Sequence, residues 1–206
     1  MTELTGRKER ERQRHREEIL EAGEEVFAEK GFHRATVEDV ATRCGFSVGT
    51  LYNFFQNKED LYHSLIAARA QQMSDEANAA LDEAQGPRET VETYVRLKIR
   101  LSRKYEKFLR LYARERMGDR FTNAQLWRQT VAPLLEQVLG RVAKALAAGR
   151  EQGCFREDVA PEDMTIALDG LTDGFLFEWL TGGDSEGFAR KEETMVKIFW
   201  EGVRKR

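Results

Sequence analysis

Apolar residues recur at intervals of three and four along most of this chain, which predicts an all-helical protein. Ile19, Leu20, Gly23, Val26 and Phe27 line one face of a first helix running from near Arg10 to Lys30, with Gly31 ending it. Val37, Val40, Ala41 and Cys44 share one face of a short second helix. Thr36 followed three residues later by Asp39 is close to a capping box and sets that helix's start. Gly45 breaks the pattern, as a tight turn between crossed helices requires. Ser47 then caps a third helix that carries Leu51 and Phe55 inward, leaving Val48, Gly49, Thr50 and Asn53 outward. Asn57, with Asp60 three residues on, caps a fourth helix whose stripe is Leu61, Leu65, Ile66 and Met73, extending toward Leu81 or Asp82.

Gly86-Pro87 is the clearest break in the chain. Beyond it the pattern predicts helices near 88–104, 106–118, 123–152, 161–181 and 185–204, with Pro133 kinking or interrupting the third. Gly153 to Pro161 reads as a stop, a short turn and a restart. Helix 161–181 is apolar on two sides: Met164, Leu168, Leu171, Phe175 and Trp179 on one, Ile166, Gly170, Gly174 and Phe177 on another. Such a helix needs cover on both sides, from a second copy of the chain or from a core that wraps it. Gly170 and Gly174 would let a neighbouring helix approach closely. If a second copy supplies that cover, Gly170, Gly174, Phe177, Phe199 and Trp200 are the expected interface of a homodimer built through the last two helices.

Composition agrees with helices: three prolines stand in 206 residues. Cys44 and Cys154 lie far apart without metal-ligand neighbours, so neither a disulfide framework nor a zinc site is implied, and no cofactor is expected. With no apolar run of membrane-spanning length and no signal-peptide stretch, a cytoplasmic, reduced protein is expected. The net charge of −3 runs against contact with phosphate, yet Arg7, Lys8, Arg10, Arg12, Arg14 and Arg16 crowd the start. Glu9, Glu11, Glu17 and Glu18 sit among them, so the segment reads either as a solvated helix or frayed arm, or as an arm reaching along DNA.

The run Thr36 to Lys58 has the grammar of a helix-turn-helix whose second helix has an anchored inner face and a small, polar outer face, the shape that enters a major groove. Here the chain resembles the amino-terminal domain of the TetR family of transcriptional regulators. The resemblance is carried by Ile19-Leu20-Glu21-Ala22, Val26 to Phe32, Thr36 to Ala41, Gly45-Phe46-Ser47, Gly49 to Tyr52, Phe55 and Lys58 to Leu61. The rest of the chain matches only as a helical pattern. Thr36 at a helix start can hold a phosphate, with Ser47 as a cap that is compatible with the same work. Tyr52 and Lys58 match family positions that grip the backbone. Gly49 lets the helix sink toward the groove floor, Thr50 reaches a phosphate or base edge, and Val48 supplies apolar contact. Asn53 is the outward residue able to pair bidentately with adenine. Phe54 stands where the family more often has a tyrosine or histidine and cannot donate a hydrogen bond. Cys44 replaces the usual alanine as a small core residue, and His15, His33 and His63 have no partners at catalytic spacing.

The resemblance implies residues 1–60 as a three-helix helix-turn-helix DNA-binding domain, with an arm of about 1–13, and residues 61–206 as a larger helical domain for effector binding and dimerisation. Its expected partners are a double-stranded DNA operator, a second copy and a small-molecule effector, with no membrane. A pocket between helices 88–152 and helix 161–181 would be lined by Tyr94, Phe108, Leu111, Tyr112, Trp127, Val131, Leu134 and Phe175. Arg114, Glu115, Asp169, Asp173 and Glu178 lie near these stripes; acidic groups pointing inward would favour a cationic ligand, and solvated ones would not. A helical-bundle enzyme is disfavoured by the lack of a nucleophile beside a base, a Glu-x-x-His pair or a phosphate-cradling loop. An effector-independent DNA-binding protein is disfavoured by size, since the motif needs about a quarter of the chain.

Overall fold

The computed structural model of the chain describes residues 2–117, 124–182 and 184–204, without the side chains of 2–5, 114–117, 124 and 185. It is all-α: α1 (Thr2–Lys30), α2 (Val37–Cys44), α3 (Val48–Tyr52), α4 (Lys58–Glu83), α5 (Gly86–Lys104), α6 (Glu106–Met117), α7 (Ala124–Leu126), α8 (Ala132–Glu151), α9 (Pro161–Leu180), α10 (Ser185–Ala189) and α11 (Glu192–Val203). Among the described residues the extended pairing is a single bridge, Phe155 to Arg204.

The chain divides into two compact units. One holds the residues up to Arg69 and α6 from Arg110; the other holds Ala70–Leu109 and the helices from α7 onward. The expected domain boundary at 60/61 falls inside α4, which begins in the first unit and ends in the second. In the first unit Ile19, Leu20, Val26, Phe27, Val40, Leu51, Phe55, Leu61, Tyr62, Leu65 and Ile66 form the core. Arg69, buried at the floor of this unit, bonds Glu17 at 2.5 Å and Glu24 at 2.7 Å. In the second unit α8 packs on α5 and α9, and α11 packs on α5 and α9.

Three boundaries differ from the pattern-based expectation. The first helix begins at Thr2 rather than near Arg10, so what read as an arm is a continuation of α1. The interruption expected at Pro133 is present, displaced to the turn before it. A single π-type turn, Trp127–Val131, precedes α8, with the Ala132 N–H reaching back to the Trp127 carbonyl. Pro133 has no N–H with which to continue an α-helical ladder at that point, so the mismatch is absorbed just before it. The final helix is split at Arg190–Lys191. Asp184 caps α10 by accepting from the Glu186 and Gly187 N–H groups, and Phe188 stacks on Trp179 with ring centroids 4.9 Å apart. Phe188 and Met195, one on each side of the break, are both buried.

Candidate nucleic-acid interface

The helix-turn-helix is held by short-range caps. Thr36 Oγ1 accepts from the Asp39 N–H at 3.2 Å, and Asp39 Oδ2 accepts from the Thr36 N–H at 3.1 Å, completing the box. Lys30 donates to the other Asp39 oxygen at 2.6 Å. That bond, together with the Thr36 N–H, holds the Asp39 carboxyl below its ordinary pKa. Gly45 ends α2 at φ 73°, a left-handed conformation that glycine adopts without strain. Ser47 caps α3 by accepting from the Thr50 N–H at 3.0 Å, and its hydroxyl also lies 2.8 Å from that of Thr50. Asn57 caps α4 through the Asp60 N–H at 2.7 Å.

This arrangement exposes Thr36, Ser47, Gly49, Tyr52 and Asn53, with Val48 and Thr50 half-buried beside them. Tyr52 keeps 52% of its surface in solvent while the next residue back, Leu51, is fully buried. An alanine at position 49 would meet only the Ser47 hydroxyl, at 3.8 Å, so glycine is not required there by packing within the chain. The third helix is shorter than expected: it ends at Tyr52, Asn53 is its C-cap, and Phe55 enters the core from the following turn rather than from the helix.

Lys58, expected on the phosphate backbone, has its ammonium against carbonyls of its own chain. Its ammonium lies 2.9 Å from the Phe32 carbonyl, 2.9 Å from that of Ala35 and 3.5 Å from that of His33, and 4.6 Å from the centre of the Phe32 ring. An ammonium has three donors. Here they are turned onto the α1–α2 turn, which leads directly into Thr36. Sequence spacing carried no sign of this, because the partners lie more than twenty residues away.

Three contacts that sequence reading missed join α1 to the motif. His15 meets the Phe46 ring edge-on at 5.1 Å, Arg12 lies 5.9 Å over Phe54, and Arg16 lies 5.4 Å over Phe55. The clue available was their i, i+3 and i+4 spacing on one side of α1. Phe54, unable to donate, is thus covered by a residue that can.

The other expected sites lie mostly in the second unit. Tyr94 and Phe108 are buried core, whereas Trp127, Val131, Leu134 and Phe175 are half-buried. Leu111 and Tyr112 fall in the first unit with α6. Asp169 does point inward, but it is already engaged: it accepts from the Tyr94 hydroxyl at 2.6 Å and from Lys98 at 2.8 Å. Lys98 also pairs with Asp173 at 2.8 Å. Burial pushes the Tyr94 hydroxyl well above its ordinary pKa. Lys98 thus engages both aspartates. Glu178 is exposed, and the side chains of Arg114 and Glu115 lie outside the described residues.

On α9, Gly170 and Gly174 are exposed, and a methyl added at either would meet nothing within 4 Å. Ile166 and Phe177 on the same helix retain 69% and 49% of their surface. Phe199 and Trp200 do not join them. Phe199 is 4% exposed, and Trp200 stacks on Phe155 at 5.3 Å, because α11 turns that side toward α5 and α9. Ile198, half-exposed, occupies the outer face of α11 instead. Among the described residues no helix is long and apolar enough to cross a membrane, and no group of His, Cys, Asp and Glu could hold a metal.

Residues 19–65 match the family of bacterial regulatory proteins, tetR family, and residues 87–176 match the tetracyclin repressor-like C-terminal domain. The chain is 31% identical over 176 residues to the HTH-type transcriptional repressor AcnR of Corynebacterium efficiens, covering 84% of this chain and 86% of that protein. Its fold is similar to the fatty acid degradation regulator FadR of Bacillus halodurans (TM-score 0.75, 24% identity, 93% of this chain and 97% of that one). It is also similar to FadR of Bacillus subtilis solved in complex with stearoyl-CoA (TM-score 0.74, 21% identity, 91% and 98%). A helix-turn-helix with both caps in place, followed by a helical domain that matches along most of its length, has one consistent assignment: the chain belongs to the TetR family of bacterial transcriptional regulators, and is not an enzyme.

Proposed function

We propose that this protein is a homodimeric repressor acting in the cytoplasm, which binds a pseudo-palindromic operator and leaves it when a small molecule occupies the second unit. The observation that carries the proposal is the exposed set Thr36, Ser47, Gly49, Tyr52 and Asn53, with Val48 and Thr50 half-buried among them, held by caps in a chain whose α9 also presents an uncovered apolar face. α3 enters the major groove, where Asn53 and Thr50 meet base edges and Val48 supplies apolar contact. Thr36, Ser47 and Tyr52 meet phosphates and set the register. Lys58 supports Thr36 from behind. Two copies joined through Ile166, Gly170, Gly174, Phe177 and Ile198 would bring two such helices to successive faces of the duplex, ~34 Å or a multiple apart.

The effector site of this reading is lined by Tyr94 of α5, Phe108 of α6, Trp127 and Val131 of the π-type turn, Leu134 of α8 and Phe175 of α9, which supply apolar and aromatic side chains. A lipophilic or acyl-type effector fits this lining better than a cation, since Asp169 and Asp173 are held by Lys98. An effector shifts the equilibrium only through its preference for the DNA-incompetent arrangement, and operator DNA must weaken effector binding by the same factor.

The test is selection of duplexes from a random-sequence library, followed by sedimentation of the protein with and without the enriched duplex. Two copies on a two-fold symmetric site are expected; a monomer on an asymmetric site would sink the dimeric reading. Thermal shift with lipophilic, cationic and acyl-type compounds, then operator release, addresses the effector. Stabilising compounds that left operator affinity unchanged would reduce the second unit to a dimerisation module.

A further inference from the structure

We infer that α1 carries a second phosphate-binding element, with Arg12 and Arg16 gripping the DNA backbone at the flank of the groove that α3 enters. The inference rests on the DNA-binding reading above. Among the described residues, six other cations of the first unit are already committed. Arg43 bonds Glu25 at 3.0 Å and Glu29 at 2.7 Å, and the Glu29 carboxyl is held below its ordinary pKa by that bond. Arg69 is spent on Glu17 and Glu24, Lys30 on Asp39, and Arg14 on Glu18. Arg34 donates to the Lys30 carbonyl, and Lys58 to three carbonyls.

Arg12 and Arg16 differ from all of these. Among the described residues neither has a carboxylate partner, and each guanidinium lies over an aromatic ring of the segment that follows α3. Glu9 and Glu11 are exposed on α1 and pair with neither. Phe54 is two residues beyond the end of α3, beside the exposed Asn53 and Tyr52. A guanidinium stacked on a ring leaves its N–H edge free, and that edge fits a phosphate bidentately. The stacking also settles the side chain's rotamer before DNA arrives, so less conformational freedom is lost on binding. Lys8, exposed one turn earlier at the same four-residue spacing, extends the stripe along the backbone.

The experiment measures operator affinity between ~50 and ~200 mM salt, using a duplex enriched by the wild-type chain, because each phosphate contact contributes about one to the salt slope. Arg12→Gln and Arg16→Gln should each lower the slope by about one per bound subunit, and the double variant by about two, with the selected consensus unchanged. Arg12→Lys should keep the slope. Arg14→Gln, whose cation is already paired, should not alter it. An unchanged slope in the double variant, with or without a lower melting temperature, would overturn the inference and leave the two arginines as packing cover for Phe54 and Phe55. If the wild-type chain enriches no duplex at all, the DNA-binding reading beneath it fails as well.

Discussion

The Lys58 ammonium and the Ala35 carbonyl oxygen are 2.9 Å apart, across 23 residues of sequence. The bond joins the first turn of α4 to the residue before the N-cap of α2, so the start of one helix fixes the position from which the other presents Thr36. Hydrogen bonds to a charged donor are the stronger kind, and the carbonyls of Phe32 and Ala35 would be left without this partner if the lysine were shortened or made apolar.

Lys58→Met should therefore lower stability by about 2 kcal/mol and weaken DNA binding without changing the salt slope. Chemical denaturation and salt-dependent binding read the two effects separately. A slope reduced by one would restore Lys58 to the phosphate backbone.

Thr36→Ala removes the acceptor for the Asp39 N–H and should cost about 1 kcal/mol, with Thr36→Ser close to wild type. Since a hydroxyl that caps can still donate to a phosphate, Thr36→Ser should also retain operator affinity. Loss of binding in the serine variant would show that the threonine methyl matters.

The capping box should respond to acid in a defined direction. The folded-state pKa of Asp39 is depressed, first by Lys30 and then by the Thr36 N–H, relative to the unfolded chain. Its contribution is present above the unfolded carboxylate value and is lost as pH falls through the lower, folded one. A carboxyl-carbon NMR titration should show Asp39 protonating below the ordinary aspartate range, and Lys30→Met should move it upward. An ordinary midpoint for Asp39 in the wild-type protein would contradict the geometry.

Lys98→Met leaves Asp169 inward-facing with one neutral hydroxyl for company, and should destabilise the second unit by about 3 kcal/mol. Replacing Lys98 and Asp169 together by apolar residues should recover much of that loss. Additive penalties in the double variant would mean that the two groups do not act as a pair.

Gly149 and Gly174 should behave oppositely although both sit in helices. A methyl on Gly149 would lie 2.1 Å from a Phe155 ring carbon and 2.9 Å from Pro87, so Gly149→Ala should cost about 2 kcal/mol or more. One on Gly174 meets nothing within the chain, so Gly174→Ala should leave monomer stability intact; together with Phe177→Glu it should abolish self-association in sedimentation. A stable dimer in that double variant would place the interface elsewhere.

What the sequence determined by itself is the part written in local hydrogen bonds and local periodicity. Thr36 with Asp39, Ser47 with Thr50 and Asn57 with Asp60 are pairs three residues apart, so the caps of the DNA-binding motif can be read without knowing the rest of the fold. Gly45 and Gly86 take positive φ at the two expected breaks, because those turns need a residue without a Cβ. The length of a helix is less local. α1 runs back to Thr2 while Arg12, His15 and Arg16 find rings from residues some thirty to forty positions later. Tertiary structure likewise decided which apolar residue faces out. Phe199 and Ile198 are neighbours of similar hydrophobicity, and the rotation of α11 against α5 and α9 buries the first and exposes the second. A charged side chain has the same ambiguity: pattern places Lys58 at a helix start, but only the folded chain brings three carbonyls to its ammonium.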